Sequence, residues 1–327
     1  MASLKAKYLG LELKTPLVIA SSRITGSLEN CKTLEEYGAG AIVTRSLFEE
    51  QITGEISRHL SGAEENIHPE AVDYFQNLFK GISAKSYLGH IERCKKSVGI
   101  PIIASLHCTT KGKWVEFASE CEKAGADALE LNLYISPQNG AQRGADLEKI
   151  YMEISHEIKS RIKIPVAMKL PPYFTNTMNM VFQLDQSGID GFVLFNRYYR
   201  FDFNIEDLKL IQGNVFSSPE EFALPLRWIT LLSGKIHGSI SASTGVHDYS
   251  SLIKLILAGA HTVQLASVLY LKEIKIIVEI INDIKLWMAR KGFENLDQFR
   301  GLMAQVKSRE PYNYERIQFI KNDMENG

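Results

Sequence analysis

The sequence lacks clustered cysteines and long apolar runs. Its four cysteines, at positions 31, 94, 108 and 121, form no CxxC pair and no ferredoxin-like spacing, which argues against zinc, an iron–sulfur cluster or a disulfide framework. No run of about 18 uncharged apolar residues occurs, and the N-terminus has no apolar signal core. We therefore expect a cytoplasmic protein with reduced cysteines, no membrane segment and no bound metal.

The sequence also has no excess of one charge. Thirty-seven Lys and Arg residues against 38 Asp and Glu residues leave a formal net charge of -1, so no overall positive potential attracts nucleic acid or anionic lipid. The content of 45% hydrophobic and 23% charged residues is typical of a soluble globular protein. We expect small-molecule partners and neither nucleic acid nor membrane.

A repeated pattern of helix end, glycine turn and short apolar strand organises the chain. This pattern comes directly before four apolar runs, at 41–44, 128–131, 191–194 and 262–265. Four further runs have Pro or Gly as their second residue, at 15–20, 100–105, 164–169 and 237–242. Helical patterns at 28–37, 113–123, 147–162, 219–232 and 249–257 separate them. Eight alternating units favour a closed (β/α)8 barrel, with an open doubly wound sheet as the alternative.

We expect one domain over residues 1–327, ending in a helical tail from about 270 to 327. The stretches 48–97 and 196–218 are overlong connections after the second and sixth strands. Connections of that length in a compact domain usually form lids or binding loops.

Polar and small residues follow the predicted strands, at the end where barrel enzymes place their active sites. Lys169 ends the fifth strand, where a desolvated cation needs an anionic partner. Asn132 and Asn196 offer amide groups to a planar heterocycle. Small residues that suit a phosphate follow strands seven and eight: Ser243, Thr244, Gly245, Ala266 and Ser267. Each of these assignments has an alternative interpretation. Lys169 could instead be a lysine at the solvent-exposed rim, the two asparagines could be helix caps, and the small residues could form ordinary turns.

Several of these stretches resemble the dihydroorotate dehydrogenase family, especially its cytoplasmic class 1 enzymes. Residues 166–174 resemble the family's flavin-site V-K-L-P-P pattern, and residues 130–133 resemble its E-L-N strand end. Residues 243–246 and 259–267 resemble its two phosphate-binding elements. The resemblance runs nearly end to end. It implies an FMN-dependent (β/α)8 barrel of pyrimidine biosynthesis, and a homodimer.

The resemblance also implies where the ligands bind. FMN is expected across the barrel mouth, with its ring near Ala20, Ser21, Arg45, Asn132 and Lys169, and its phosphate near Thr244, Gly245, Ala266 and Ser267. Lys169 would stabilise the anionic reduced ring from a fixed strand. The expected substrate-binding residues are Asn66, Asn132 and Asn196.

The proposed catalytic residues Arg45 and Ser136 depart from the family pattern. Arg45 stands where the family has lysine, which keeps the charge but changes its geometry. The family places a Cys or Ser base before a proline. An ungapped match puts Ile135 there, and one inserted residue puts Ser136 before Pro137.

The orotate-binding loop departs further. It reads Ser-Gly-Ala-Glu-Glu-Asn-Ile-His-Pro over residues 61–69, and two carboxylates would repel a carboxylate substrate unless they face solvent. If the two glutamates face solvent, the side chain of Asn66 or His68 is expected to hydrogen-bond the substrate. The glycines that the family has around residues 216–218 are absent as well.

The resemblance implies a dehydrogenase acting on CH–CH donors. A dihydropyrimidine, most simply dihydroorotate, is expected to give a hydride to N5 of the flavin. Ser136 is expected to take the proton from the neighbouring substrate carbon, and Lys169 and Arg45 to supply positive charge. Because the cysteines hold no iron–sulfur relay, reoxidation needs a small acceptor or a partner subunit. The alternatives are a flavin-binding homologue with an altered substrate or lost activity, and a Schiff-base lyase that uses Lys169.

Overall fold

The structure is a computed structural model, and it describes residues 2–48, 84–108, 114–135, 137, 139–197 and 200–315. Eight parallel strands in the described residues form a closed barrel, and a ninth, two-residue strand, Leu47–Phe48, pairs with residues 106–107 of the third barrel strand. The eight barrel strands are β1 (Leu17–Ile19), β2 (Ala41–Val43), β3 (Ile102–Cys108), β4 (Ala128–Leu133), β5 (Val166–Leu170), β6 (Gly191–Leu194), β7 (Ser239–Ala242) and β8 (Thr262–Leu265).

Each strand of the barrel pairs with its neighbours in chain order, and β8 returns to β1. Val263, Gln264 and Leu265 pair with the three residues of β1, and Ile42 of β2 pairs with Ile102 of β3. The predicted (β/α)8 barrel is therefore confirmed, and the open sheet is wrong. Closure removes the exposed edges that an open sheet would present to other chains.

Helices alternate with these strands, as the sequence predicts. They are α1 (Leu28–Glu36), α2 (Ala84–Ser97), α3 (Trp114–Lys123), α4 (Gly144–Arg161), α5 (Thr177–Gln186), α6 (Ala223–Leu232), α7 (Tyr249–Ala258), α8 (Ser267–Leu271) and α9 (Ile276–Lys291). The pattern predicted at 219–232 begins as a 3-10 turn, Pro219–Phe222, before α6. None of the described helices is both long enough and apolar enough to span a membrane.

An N-terminal hairpin closes one end of the barrel. Strands Ala6–Tyr8 and Leu11–Leu13 pair antiparallel, and the backbone N–H of Leu9 donates to Ser239 Oγ at the start of β7 (3.2 Å). A Cβ on Gly191, at the start of β6, would lie 2.5 Å from Leu9 Cδ2. Because the hairpin covers the amino ends of the strands, their carboxyl ends form the open mouth.

A second hairpin lies in the long connection after β6. Its strands, Phe201–Asn204 and Lys209–Gln212, pair antiparallel and are almost wholly exposed. Beyond α9 the described chain continues in two 3-10 turns, Leu296–Gln298 and Gln305–Lys307.

Candidate active site

A charged side-chain cluster spans the interior of the barrel below the mouth. Lys169 Nζ on β5 lies 3.7 Å from Glu130 Oε1 on β4 and donates to Gln264 Oε1 on β8 (3.3 Å). Gln264 Nε2 donates to Glu130 Oε2 (2.7 Å). Lys169 is 7% exposed and Glu130 is 1% exposed, so Glu130 is the anionic partner that the position of Lys169 requires.

Tyr8 belongs to the N-terminal hairpin and lies near this cluster, on the side where the barrel strands have their amino ends. Its side chain is buried, and burial, followed by the negative charge of Glu130, raises the pKa of Tyr8 well above its ordinary value. Tyr8 therefore stays neutral near Glu130. The ammonium of Lys169 remains the charge that faces the mouth.

Lys169 opens into a cavity of about 250 Å³ at the carboxyl ends of the strands. Ala20, Ser21 and Lys169 line one part of it. The predicted phosphate-binding residues line another part: Thr244, Gly245, Ala266 and Ser267. The structure thus brings both predicted halves of the cofactor site to one cavity, as the barrel geometry requires.

Tight backbone turns form the small-residue part of the cavity. Thr244 and Gly245 both have positive φ, 81° and 77°, a region that favours glycine. A Cβ on Gly245 would lie 2.1 Å from the backbone N of Phe222. The turn after β7 therefore packs directly on the 3-10 turn before α6, and only glycine fits there.

Ser217 joins the loop after β6 to the turns after β7 and β8. Its backbone N–H donates to Ser267 Oγ (2.9 Å), and its hydroxyl accepts from the Gly245 N–H (3.3 Å) and lies 3.2 Å from His247 Nε2. Burial lowers the pKa of His247, which favours a neutral ring, and its tautomer decides which of the two side chains donates this hydrogen bond. Ser217 and His247 were not predicted from the sequence, because neither follows a strand directly.

Arg197 holds the same loop from its other side. It donates to the carbonyl oxygens of Asn214, Val215 and Phe216 at 2.9–3.1 Å, and to Glu221 at 3.0 Å. Burial is the largest single influence and opposes ionisation of Glu221, but the hydrogen bonds from Arg197 and from the Ser218 N–H, together with the positive charges of Arg197 and Arg200, outweigh it and keep the pKa of Glu221 below its ordinary value. Arg197 lines the cavity, so the ion pair fixes one wall.

The two predicted amide groups meet at the mouth. Asn196 Nδ2 donates to Asn132 Oδ1 at 2.6 Å, and Asn132 is the register partner of Lys169 on the adjacent strand. Asn196 also lines the cavity. The pair places amide donors and acceptors beside the buried ammonium.

A chain of hydroxyl groups orients Ser21. Its Oγ lies 2.9 Å from Ser46 Oγ and accepts from the Ser46 N–H (2.7 Å), while Ser46 Oγ lies 2.7 Å from the buried Ser105 Oγ. Sequence analysis assigned no role to Ser46 or Ser105. The available sequence signal for this chain was that Ser21, Ser46 and Ser105 lie in or just after three adjacent strands, β1, β2 and β3.

Comparison with known proteins decides the family. The sequence profile of the family described as "Dihydroorotate dehydrogenase" matches residues 3–288. The chain belongs to the dihydroorotate dehydrogenase family.

Three relatives of this family member carry the name "Dihydroorotate dehydrogenase B (NAD(+)), catalytic subunit". The relative from Thermoplasma volcanium is 24% identical over 311 residues, covering 92% of this chain and 99% of the relative. That from Pyrococcus furiosus is 25% identical, covering 93% and 100%. That from Methanosarcina acetivorans is 26% identical, covering 91% and 95%.

FMN is the cofactor of this dihydroorotate dehydrogenase family member. The residues at the mouth fit it by their chemistry. Lys169 presents a buried ammonium for the electron-rich edge of the isoalloxazine, and the turns at 244–245 and 266–267 offer a small-residue surface for the phosphate.

Arg45 follows β2 and lies half-buried beside the mouth. Burial, and then the positive charge of Arg23, lowers the pKa of Arg45, while Tyr270 opposes the shift. Its Cδ packs 3.6 Å from the position that a Cβ on Gly26 would take. Arg45 therefore belongs to the rim formed with Arg23 and Tyr270, and its contact with FMN stays a prediction.

The predicted base Ser136 and the predicted substrate residue Asn66 lie outside the described residues, as does His68. The neighbouring backbone is described as far as Ile135, whose N–H donates to Tyr151 Oη at 3.3 Å. Ile135 is partly buried and packs against the core. The roles of Ser136 and Asn66 stay predictions.

Proposed function

We propose that this protein oxidises a dihydropyrimidine carboxylate, most simply dihydroorotate to orotate. The observation that carries the proposal is the amide pair of Asn132 and Asn196 beside the buried Lys169, inside the mouth of a dihydroorotate dehydrogenase barrel. Two amides can hydrogen-bond the alternating N–H and C=O groups of such a ring. FMN supplies a two-electron acceptor when bound, taking a hydride from the substrate carbon next to the one that loses a proton.

The chain's own residues bind, orient and balance charge in this reaction. Lys169 holds positive charge at a fixed point, because Glu130 and Gln264 restrain its ammonium. A preorganised cation stabilises negative charge that develops beside it without reorganisation. Arg45, placed at the rim, adds a second positive charge to the mouth.

Ser136 is the proposed base that takes the substrate proton. A serine is a weak base unless a neighbour accepts its proton. Tyr134 precedes it by two residues on the same loop, and Tyr134 or a water molecule is the alternative acceptor. The proposal rests on the position of Ser136 before Pro137 in the connection after β4.

The electron acceptor is proposed to be reached through a partner subunit. The relatives are named as catalytic subunits of an NAD(+) enzyme, and the four cysteines of this chain lack cluster spacing. Electrons would then leave FMN for a second chain that passes them to NAD(+).

A homodimer is the second assembly that we propose, through the hairpin after β6. Phe201, Phe203, Leu208 and Leu210 on this hairpin are exposed large hydrophobic residues, and a concentration of such residues marks an interaction surface. An isolated two-stranded hairpin is at best marginally stable in water. Cover from a second copy would bury its apolar side chains.

One observation favours a second candidate, a flavoprotein with a different substrate. The cofactor half of the site keeps the family pattern, while the loop at 61–69 carries two glutamates and Ile135 stands at the ungapped base position. The Schiff-base lyase is not favoured. A Schiff-base lysine must be free to attack a carbonyl carbon, whereas Lys169 Nζ is restrained between Glu130 and Gln264.

Anaerobic mixing of the purified flavoprotein with dihydroorotate separates these candidates. The proposed dehydrogenase loses its oxidised-flavin absorbance and releases orotate in equal amount. Colour that persists with dihydroorotate but bleaches with another dihydropyrimidine supports the altered-substrate candidate. Colour that persists with every dihydropyrimidine contradicts the proposal. Borohydride trapping of a carbonyl substrate on Lys169 would identify the lyase.

A further inference from the structure

Two cysteines and a histidine converge between helices α1 and α2, away from the cavity at the mouth. Cys31 lies on α1, and His90 and Cys94 lie on α2. One ligand atom from each side chain can be chosen so that all three lie within 4.8 Å of one another. Among the described residues this is the only group of three or more His, Cys, Asp or Glu side chains that meets so closely.

Two distances in this cluster fall in the range found between ligands of one metal ion, Cys94 Sγ to His90 Nε2 and Cys31 Sγ to the Thr25 carbonyl oxygen. With metal bonds of about 2.3 Å to sulfur and about 2.0–2.1 Å to nitrogen, tetrahedral ligand atoms lie roughly 3.3–3.8 Å apart. Cys94 Sγ lies 3.5 Å from His90 Nε2. The carbonyl oxygen of Thr25 completes the group, at 3.7 Å from Cys31 Sγ and 2.9 Å from His90 Nε2.

We propose that Cys31, His90 and Cys94 bind a zinc ion, with the Thr25 carbonyl oxygen as the fourth ligand. Two thiolates and one imidazole form a donor set that zinc prefers. Cys31 and Cys94 are fully buried and His90 is 9% exposed, as in closed structural zinc sites. Binding would require the separation of His90 Nε2 and Thr25 O, now 2.9 Å, to widen by about 0.4 Å to reach the tetrahedral spacing.

Helical spacing and the turn before α1 bring the ligands together. His90 and Cys94 are four residues apart on α2 and therefore lie on one face. Thr25 belongs to the 3-10 turn Ile24–Gly26, which directly precedes Ser27, the N-cap of α1. The expectation of no metal came from the absence of a CxxC pair, a criterion that cannot detect ligands contributed by separate helices.

The proposed ion would brace the rim of the active site. Thr25 Oγ1 donates to the Ser22 carbonyl oxygen (3.0 Å) and accepts from the Ser22 N–H (3.2 Å), and Ser22 follows Ser21 of the cavity. Gly26 packs near Arg45. A metal that ties Thr25 to α1 and α2 would thus hold the connection after β1 in place beside the mouth.

Elemental analysis of the flavoprotein tests the proposal. Protein produced in zinc-supplemented medium without a histidine tag is expected to hold about one zinc per chain. Cys31→Ser and Cys94→Ser should each lose most of it, while the matched control Cys121→Ser, which removes another buried free cysteine on α3, should keep it. A chelator should lower the Tm of wild type by several degrees and leave that of Cys31→Ser unchanged.

A second measurement on the wild type does not depend on folding of the variants. Zinc-edge X-ray absorption should show two sulfur ligands at about 2.3 Å and two nitrogen or oxygen ligands at about 2.0–2.1 Å. The proposal is overturned if wild type holds no more zinc than Cys31→Ser. It is also overturned if the site holds another metal, or if intact mass and peptide mapping reveal a Cys31–Cys94 disulfide.

Discussion

Lys169 and Glu130 illustrate how single residues can serve both the fold and the reaction. A buried ion pair costs desolvation, and removing one partner strands the other charge in a medium that solvates it poorly. Gln264 relieves this by donating to Glu130 and accepting from Lys169. The same arrangement that makes the pair tolerable in the core fixes an ammonium at the mouth, where we propose that FMN binds.

Replacing Lys169 should therefore have two separable effects. We expect Lys169→Met to weaken FMN binding about 10- to 100-fold through loss of a charged hydrogen bond, and to destabilise the fold by about 3–5 kcal/mol because Glu130 is left unpaired. Flavin fluorescence titration and thermal unfolding measure the two. The control, the double variant Lys169→Met/Glu130→Gln, should regain much of the stability but not the FMN affinity. If both variants bind FMN as tightly as wild type, our placement of the cofactor is wrong.

Gly245 offers a test of the turn after β7. Gly245→Ala is expected to cost more than the about 1–3 kcal/mol typical of a strained φ, because its Cβ would also meet the backbone of Phe222. Gly10→Ala is the matched control, since Gly10 has φ 76° but open space around its Cβ. Denaturant unfolding of both variants should show Gly245→Ala as clearly the less stable. Equal losses would mean that the close approach to Phe222 is incorrect.

Ser136 carries the prediction about proton transfer. If it is the base, Ser136→Ala should slow flavin reduction by dihydroorotate about 10²- to 10⁴-fold, with little change in FMN content. Stopped-flow absorbance of the anaerobic half-reaction measures the rate. Tyr134→Phe serves as the comparison, and an unchanged rate in Ser136→Ala together with a slow Tyr134→Phe would transfer the role to Tyr134.

At the scale of elements, the eight barrel strands and the helices α1, α3, α4, α6 and α7 were predictable from the sequence because each repeat has its own physical signal, whereas α2 and α5 lie in stretches for which no helical pattern was named. The glycine that follows several of the helices, such as Gly188 with φ 88° and Gly259 with φ 120°, takes a conformation that other residues disfavour. The apolar run that follows is buried on both faces, as in all parallel sheets. These are local features, so the sequence alone reveals them.

Contacts between elements were not predictable in the same way. Glu130 stood within the predicted E-L-N strand end, but its pairing with Lys169 and Gln264 depends on the register of three strands. Alternation along β4 does place Glu130 on the same face as Asn132, which was an available signal. Ser217 and Arg197 act through a long connection whose path no sequence pattern specifies.

The hairpin after β6 is the element that tests the proposed homodimer. Phe203→Glu should convert a dimer to a monomer, because a charge would have to be buried in an apolar interface. Leu286→Glu on α9 is the matched control, since Leu286 and Phe203 are each 63% exposed. Sedimentation velocity compares the three proteins. The proposal is wrong if wild type is a monomer. The hairpin is also not the interface if the dimer survives Phe203→Glu while Leu286→Glu abolishes it.

At the scale of the whole molecule, barrel closure turns sequence-distant residues into one site. The amino ends of the strands are covered by a hairpin containing Tyr8, so the polar side chains at the carboxyl ends have one common exit. Residues of β1, β4, β5 and β8, together with the loops after β6 and β7, surround that exit. The fold therefore explains why the predicted cofactor-binding residues and the amides of Asn132 and Asn196 meet although they are spread over most of the chain.

The position of FMN in a crystal of the flavin-loaded protein tests this account most directly. We predict that density for the isoalloxazine lies beside Lys169, and that density for the phosphate lies against the turns at 244–245 and 266–267. FMN bound outside the mouth, or in the reverse direction with its phosphate at Lys169, would contradict the account.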